Sequence, residues 1–199
     1  MLLALAACHR GSSKPAREEL AHPLATYGTQ RVVLAPTARI RGADTSSLFR
    51  DMGSARMIGM LVDGRIMAQL RDHGLDARWI LPAELQRAYE RNRTYAADPY
   101  QLAVEPLRSA AFETGSKFGE PLSSQLRTMI ALHEDVRYVL LPVEFRYDGA
   151  RAILRATLLD PRTAEARWVG EVKSDPAPST AAFAMTQVAS RLVDLFVAP

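Results

Sequence analysis

Beyond residue 28 the chain alternates between strand-like and helix-like apolar patterns. Arg31-Val32-Val33-Leu34-Ala35-Pro36 is a short β-branched run closed by proline, which predicts a buried strand. Residues 37–53 are polar and loop-like, with a helical turn at Leu48-Phe49. Residues 54–73 predict a helix, because Met57, Ile58, Leu61, Ile66, Met67 and Leu70 recur at three- and four-residue spacing before the Gly74 stop. Gly59 and Gly64 inside it each cost up to about 1 kcal/mol relative to alanine, which close packing against a sheet would offset. Asp76-Ala77-Arg78-Trp79-Ile80-Leu81-Pro82 predicts a second strand, and residues 83–92 a second helix.

Residues 92–122 break the pattern. Pro99, Pro106 and Pro121, with Gly115 and Gly119, leave room for one short helix near Asp98-Pro99. A connection this long inside a domain is more often functional or mobile than a mere link. Ser123 or Ser124 is positioned to cap a helix running to His133. Three strands follow at about 137–147, 150–160 and 164–173, joined by Asp148-Gly149 and Asp160-Pro161-Arg162-Thr163. Asp-Gly signals a type I′ hairpin, since both central residues take positive φ. Val139, Leu141, Val143, Phe145 and Tyr147 alternate along the first strand. Ala152, Leu154, Ala156 and Leu158 alternate with Arg151, Arg155 and Thr157 along the second, and Ala166, Trp168 and Val172 oppose Glu165, Arg167, Glu171 and Lys173 in the third. Such alternation predicts an antiparallel meander with one packed and one wet face. A last helix, residues 180–197, carries Phe183, Val188, Leu192, Leu195 and Phe196. The expected fold is α/β in the α+β sense: order β-α-β-α-α-β-β-β-α, a mixed sheet of about five strands, and helices packed on one side.

At 199 residues and 48% apolar side chains, the chain has the size and composition of one globular domain. The net charge of +3 is unevenly placed: residues 1–43 carry +4 and the remainder −1. Basicity in a leader, with no groove-sized basic face, argues against nucleic-acid binding and suits a tether near an anionic surface. One cysteine excludes an intrachain disulfide and a cysteine-based zinc cluster. No run of about 18 apolar residues is present to span a bilayer.

The lone cysteine ends Met1-Leu2-Leu3-Ala4-Leu5-Ala6-Ala7-Cys8, an apolar run closing in small residues. Leu5-Ala6-Ala7-Cys8 resembles the lipobox of bacterial lipoproteins, in which the cysteine is lipidated and becomes the mature N-terminus. The apolar stretch has seven residues and no basic segment before it, so a longer signal peptide begun from an upstream start is expected. The competing reading is an incidental cysteine in a disordered N-terminus. Gly11-Ser12-Ser13-Lys14-Pro15 follows as a flexible polar linker. His9 after the cysteine, where an inner-membrane lipoprotein would have aspartate, implies the periplasmic side of the outer membrane. The organisation expected is a truncated lipoprotein signal at 1–8, a flexible basic tether at 9–27 and one domain at 28–199.

Two segments carry a wider resemblance. Val136-Arg137-Tyr138-Val139-Leu140-Leu141-Pro142-Val143, then Leu158-Leu159-Asp160-Pro161-Arg162-Thr163-Ala164-Glu165-Ala166-Arg167-Trp168-Val169-Gly170, are similar to a strand and hairpin of the periplasmic family that includes CsgG, LpoB and the N-terminal domain of TolB. Ala164 stands where that family often has glycine at the turn. The resemblance covers roughly residues 28–197 and implies a fold, with no catalytic residue to transfer. It implies a lipid-anchored periplasmic domain acting through protein partners, as an activator or scaffold, with oligomerisation open. A subunit of an envelope transport or assembly complex is the alternative, and an enzyme acting on envelope glycan or lipid is a second. A pore of the CsgG kind needs amphipathic hairpins that residues 92–122, with three prolines, do not supply.

Candidate chemistry is sparse. His9 and His22 fall in the expected tether, and His73 and His133 at helix C-termini, where imidazolium suits the dipole. No HExxH, GxSxG, phosphate-binding loop or GxGxxG occurs, so neither catalytic residue, metal nor cofactor is expected. Asp51, Asp63 and Asp72 read as a solvated face, and Ser46 and Ser47 as loop residues. Met52, Met57, Met60 and Met67 form a stripe that is more often core than binding surface. Arg91, Arg93, Tyr95, Tyr100, Phe112 and Phe118 combine arginine with aromatics in the irregular segment and form the candidate partner surface.

Overall fold

The computed structural model describes residues 22–42 and 48–197, so Cys8, His9, Ser46 and Ser47 lie outside the described residues. In chain order the elements are α1 (Ala25–Gly28), β1 (Val32–Leu34), β2 (Ile40–Arg41), α2 (Ala55–Asp72), β3 (Trp79–Ile80), α3 (Pro82–Arg91), α4 (Leu122–Ala131), β4 (Tyr138–Tyr147), β5 (Ala152–Asp160), β6 (Glu165–Lys173) and α5 (Ala181–Asp194). One mixed sheet of six strands runs β3-β1-β4-β5-β6, with β2 pairing the far end of β4. β1 is parallel to β3 and β4, and β4, β5 and β6 form the antiparallel meander.

The α+β class is as expected, but the layering is not, because helices cover both faces of the sheet. Val32 and Leu34 join a core with α2 and α5, whereas Val33 and Ala35 join a second core with α3 and α4. A strand buried on both sides reads as an unbroken apolar run, which carries no sign of sidedness. In β4, Val139, Leu141 and Val143 face the second core. A bulge between Pro142 and Glu144 then reverses the alternation, returning Phe145 to the first core, with Tyr147 packed against it. The five residues expected on one face are therefore divided between two. The hairpin after β4 also differs: Tyr147 pairs with Ala152 around a four-residue loop in which Gly149, not Asp148, has positive φ.

The face of the meander expected to be wet is covered by the irregular segment 92–118. Val104, Leu107, Phe112 and Phe118 are buried in the second core. Arg155 fastens this cover, donating from Nε to Leu107 O at 3.2 Å and from Nη2 to Ser109 O at 3.0 Å and Phe112 O at 2.9 Å. Farther along, the cover pairs with the outer edge of β6: Gly115 N donates to Ala166 O at 2.8 Å, Ala166 N to Ser116 O at 2.9 Å and Phe118 N to Ala164 O at 3.1 Å.

Arg167, expected on a solvated face, is also structural. Fully buried Asp160 accepts from Arg137 Nη2 at 3.0 Å and Arg167 Nη2 at 3.1 Å through Oδ2, and from Arg162 N at 3.1 Å through Oδ1. Burial pushes this carboxyl up, but the arginine hydrogen bonds outweigh it and hold it below the usual aspartate range.

α2 begins where Ser54 Oγ accepts from Met57 N at 3.3 Å. Its buried stripe is Ile58, Gly59, Val62, Asp63, Ile66 and Leu70. Met57, Met60 and Leu61 are 48%, 49% and 41% exposed, so Met57 and Leu61 do not face the core as their spacing predicted. A Cβ placed on Gly59 would meet Thr37 O at 3.7 Å, an ordinary contact, and one on Gly64 would meet nothing within 4 Å, so close packing requires glycine at neither position. α4 is not capped by a serine: Glu120 accepts from Ser123 Oγ at 2.5 Å and Ser124 N at 3.1 Å. Phe183 of α5 is exposed, while Val188, Leu192 and Phe196 are buried. Residues 22–27, assigned to the tether, pack on the domain, with Leu24 buried and its N donating to Leu195 O at 3.0 Å.

Candidate functional site

β1 and β3 are parallel neighbours, and the helices that follow them pack on opposite faces of the sheet. After β1 the chain runs on beside β4 through β2 before it enters α2, against the first core; after β3 it turns directly into α3, against the second. A crevice opens at the carboxyl ends of parallel strands where successive connections diverge in this way, and such crevices hold ligands in open sheets. Here it has a volume of about 360 Å³. Its walls are Thr37 and Ala38 of the loop after β1, Ile40 of β2, the first half of α2, Gln86 of α3 and the turn at residues 98–101.

Asp63 lies in the wall of this crevice and is 4% exposed, a correction to its reading as part of a solvated face. The loop turns back onto it: Thr37 N donates at 2.9 Å and Thr37 Oγ1 at 2.6 Å, both to Asp63 Oδ1. Asp63 Oδ2 accepts no hydrogen bond from the described residues, and no described cation lies within ion-pair distance. Burial raises its pKa to about 6 against the lowering effect of the two Thr37 bonds. The carboxyl is thus held in place by neutral donors alone. The spacing to Gly59, Ile66 and Leu70 is four, three and seven residues, which puts Asp63 on their face and was the available signal for its burial.

The opposite wall is ordered by Asp98, whose Oδ1 accepts from Tyr100 N at 2.9 Å and Oδ2 from Gln101 Nε2 at 3.1 Å. Tyr100 lines the crevice, and its hydroxyl is raised in pKa first by burial and then by the Asp63 charge. The Arg56 guanidinium lies over the Tyr100 ring, 5.6 Å from its centroid. Gln86 Nε2 donates to Glu90 Oε1 at 3.0 Å, leaving Gln86 Oε1 buried without a partner.

The six expected surface residues do not form one patch. Phe112 and Phe118 are core residues, which corrects their assignment. Arg91, Arg93, Tyr95 and Tyr100 are exposed, with the Arg93 guanidinium over the Tyr89 ring at 5.9 Å. Of the four, Tyr100 alone lines the crevice; Tyr95 borders a shallow hollow with Ser124, Gln125 and Thr128. His73 Nε2 is 3.7 Å from Asp194 Oδ1, and His22 Nδ1 is 2.8 Å from Asp194 O. His133 Nε2 is buried without a partner, and burial lowers its pKa. No group of three or more metal-ligating side chains is assembled among the described residues.

No protein-family model matches the chain, and no curated protein matches its sequence. Solved structures with a similar chain path include a dodecamer of a point-substituted PelC from Paraburkholderia phytofirmans, 12% identical over 86% of this chain and 91% of that one, with a TM-score of 0.42. The LpoB C-terminal domain from Salmonella enterica is 14% identical over 78% of this chain and 95% of that one, with a TM-score of 0.41. The likeness is one of chain path alone and carries no argument about what this protein binds.

Proposed function

We propose that the chain is a cell-envelope domain, held by a lipid on Cys8 at the periplasmic side of the outer membrane, that acts as an activator or scaffold by binding protein partners. The anchor rests on Leu5-Ala6-Ala7-Cys8 and the polar linker after it. The binding role rests on one observation: Met57, Met60 and Leu61 are exposed together at i, i+3 and i+4 on α2. Single exposed apolar side chains are ordinary, but a contiguous strip marks an interaction surface. Methionine suits such a surface because its flexible thioether repacks against different shapes. Arg56, one turn before Met60 on α2, and Tyr100, on the opposite wall of the crevice, add the guanidinium and aromatic groups that anchor interfaces. The reading is of a binding domain rather than a catalyst.

The test places a photo-crosslinking residue at Met60, and separately at exposed Lys173 on β6, in the full chain expressed with its upstream genomic sequence. The expected result is a discrete protein adduct from position 60, absent from position 173 and lost with Leu61→Asp. Identical adducts from both positions would refute the binding surface. Fatty-acid label that persists in Cys8→Ser would refute the anchor independently.

A further inference from the structure

We propose that the crevice at the carboxyl ends of β1 and β3 binds an alkylammonium or guanidinium group, with Asp63 as its anchor. Asp63 and Gln86, which carry the proposal, belong neither to the lipid anchor nor to the exposed strip of α2, although Met60 and Arg56 line the same crevice. Buried carboxylates are normally paired with a cation, because desolvation is costly and attraction in a low-dielectric site offsets it. Asp63 has two neutral donors on Oδ1 and none on Oδ2. Gln86 supplies a second acceptor beside the same crevice. Its NH₂ is committed to the Glu90 carboxylate, which fixes the amide orientation and leaves Oε1 without a donor. A site whose unmet groups are acceptors beside a carboxyl calls for a positively charged ligand with several donors, and ammonium and guanidinium are the side-chain-sized groups that combine charge with donors and carry no acceptor.

Size and charge narrow the choice further. About 360 Å³ is near the lower end for small-molecule sites, enough for a single head group and short stem. Asp63 and Asp98 outnumber Arg56 among the charged lining residues. Arg56 does not occupy the place of the missing cation. It lies on the Tyr100 ring, showing that this ring already serves as a cation–π platform at the mouth. A ligand cation entering beside it would meet Arg56 as a like charge, so the two side chains should act on affinity with opposite signs.

The probes are agmatine, butylammonium, a blocked neutral peptide bearing one internal arginine, and inorganic phosphate. Each is titrated into the full 199-residue chain, with amide chemical shifts as the readout. Saturable shifts are expected at Thr37, Gly59, Asp63 and Tyr100 with the cationic probes. Asp63→Asn retains an acceptor for Thr37 and should weaken binding by at least about tenfold. Arg56→Gln, at an exposed position, should strengthen it several-fold. Binding of the arginine peptide as tightly as agmatine supports a partner's side chain as the source; binding of free amines alone supports a small metabolite. Cation binding indifferent to Asp63→Asn overturns the proposal. So does phosphate binding at these residues that Arg56→Gln weakens, and so does the absence of saturable shifts with every cationic probe.

Discussion

Replacing Asp63 by asparagine should make the protein more stable at neutral pH and leave it no better at pH 4. Folding raises the Asp63 pKa from 3.8 to about 6, so the native state holds its proton more tightly than the unfolded chain. Between those values the folded protein binds the extra proton, and stability falls as pH rises, levelling off above about 6. A shift of roughly two units corresponds to about 3 kcal/mol in all, of which about 2.5 kcal/mol is lost between pH 4 and pH 7. The asparagine amide keeps an oxygen for Thr37 N and Oγ1 while removing the titration, so the variant lacks this slope. Urea unfolding followed by fluorescence, with Trp79 and Trp168 as the reporters, can measure both proteins from pH 4 to 7.5. The difference in unfolding free energy, variant minus wild type, should grow by about 2.5 kcal/mol over that range, or about 5–10 °C in Tm for a protein of this size. Comparing the two proteins removes the other titrating groups to first order. Parallel pH profiles would show that Asp63 is solvated or already neutralised by a cation, and would refute a buried, unpaired carboxyl in the crevice wall.

Three further outcomes follow from packing and charge. Arg155→Met should cost about 2 kcal/mol, the value of one charge-assisted bond among partly exposed carbonyls, and hydrogen exchange should accelerate across residues 105–118 before it does in β4; unchanged exchange there would remove Arg155 as the fastening. Asp160→Asn should destabilise by about 3 kcal/mol by leaving Arg137 and Arg167 without their shared carboxylate. Because Asp160 is held below its usual range, its contribution is present above about pH 4 and is lost as pH falls through the folded value, the reverse of Asp63, and a urea titration at pH 2 to 5 checks the sign. Gly64→Ala, with open space at the new methyl, should raise stability by about 0.5–1 kcal/mol, and a lower Tm would show that the α2 face needs glycine there.

The presence of the three meander strands and of α2, α3 and α5 is legible because each rests on local pattern: alternation in the strands, three- and four-residue recurrence in the helices, and Gly74 as a stop. Sidedness is not. Whether Val32 and Val33 point to one core or two depends on which helices fold over each face, and a bulge such as that between Pro142 and Glu144 has no signature in apolar alternation. The difference at Asp63 has another origin. Its position on the Ile66–Leu70 stripe is readable, but a carboxylate there argues for solvent, and it takes the Thr37 loop to make burial tolerable. Phe112 and Phe118 escape a sequence reading because an irregular segment has no period from which an inward face can be read. Arg155, three residues into β5, is what turns that segment into a layer of the core.

The cover over the meander also settles how this protein would fail. β6 is the long outer strand of the sheet, and its first half spends its outward hydrogen bonds on residues 115–118. Detaching that segment would bare a row of unpaired amides and carbonyls while the rest of the sheet stayed intact, the arrangement that recruits a strand from a neighbouring molecule. Damage at Arg155 would therefore show itself as loss of solubility, rising with protein concentration, well before the helices melt.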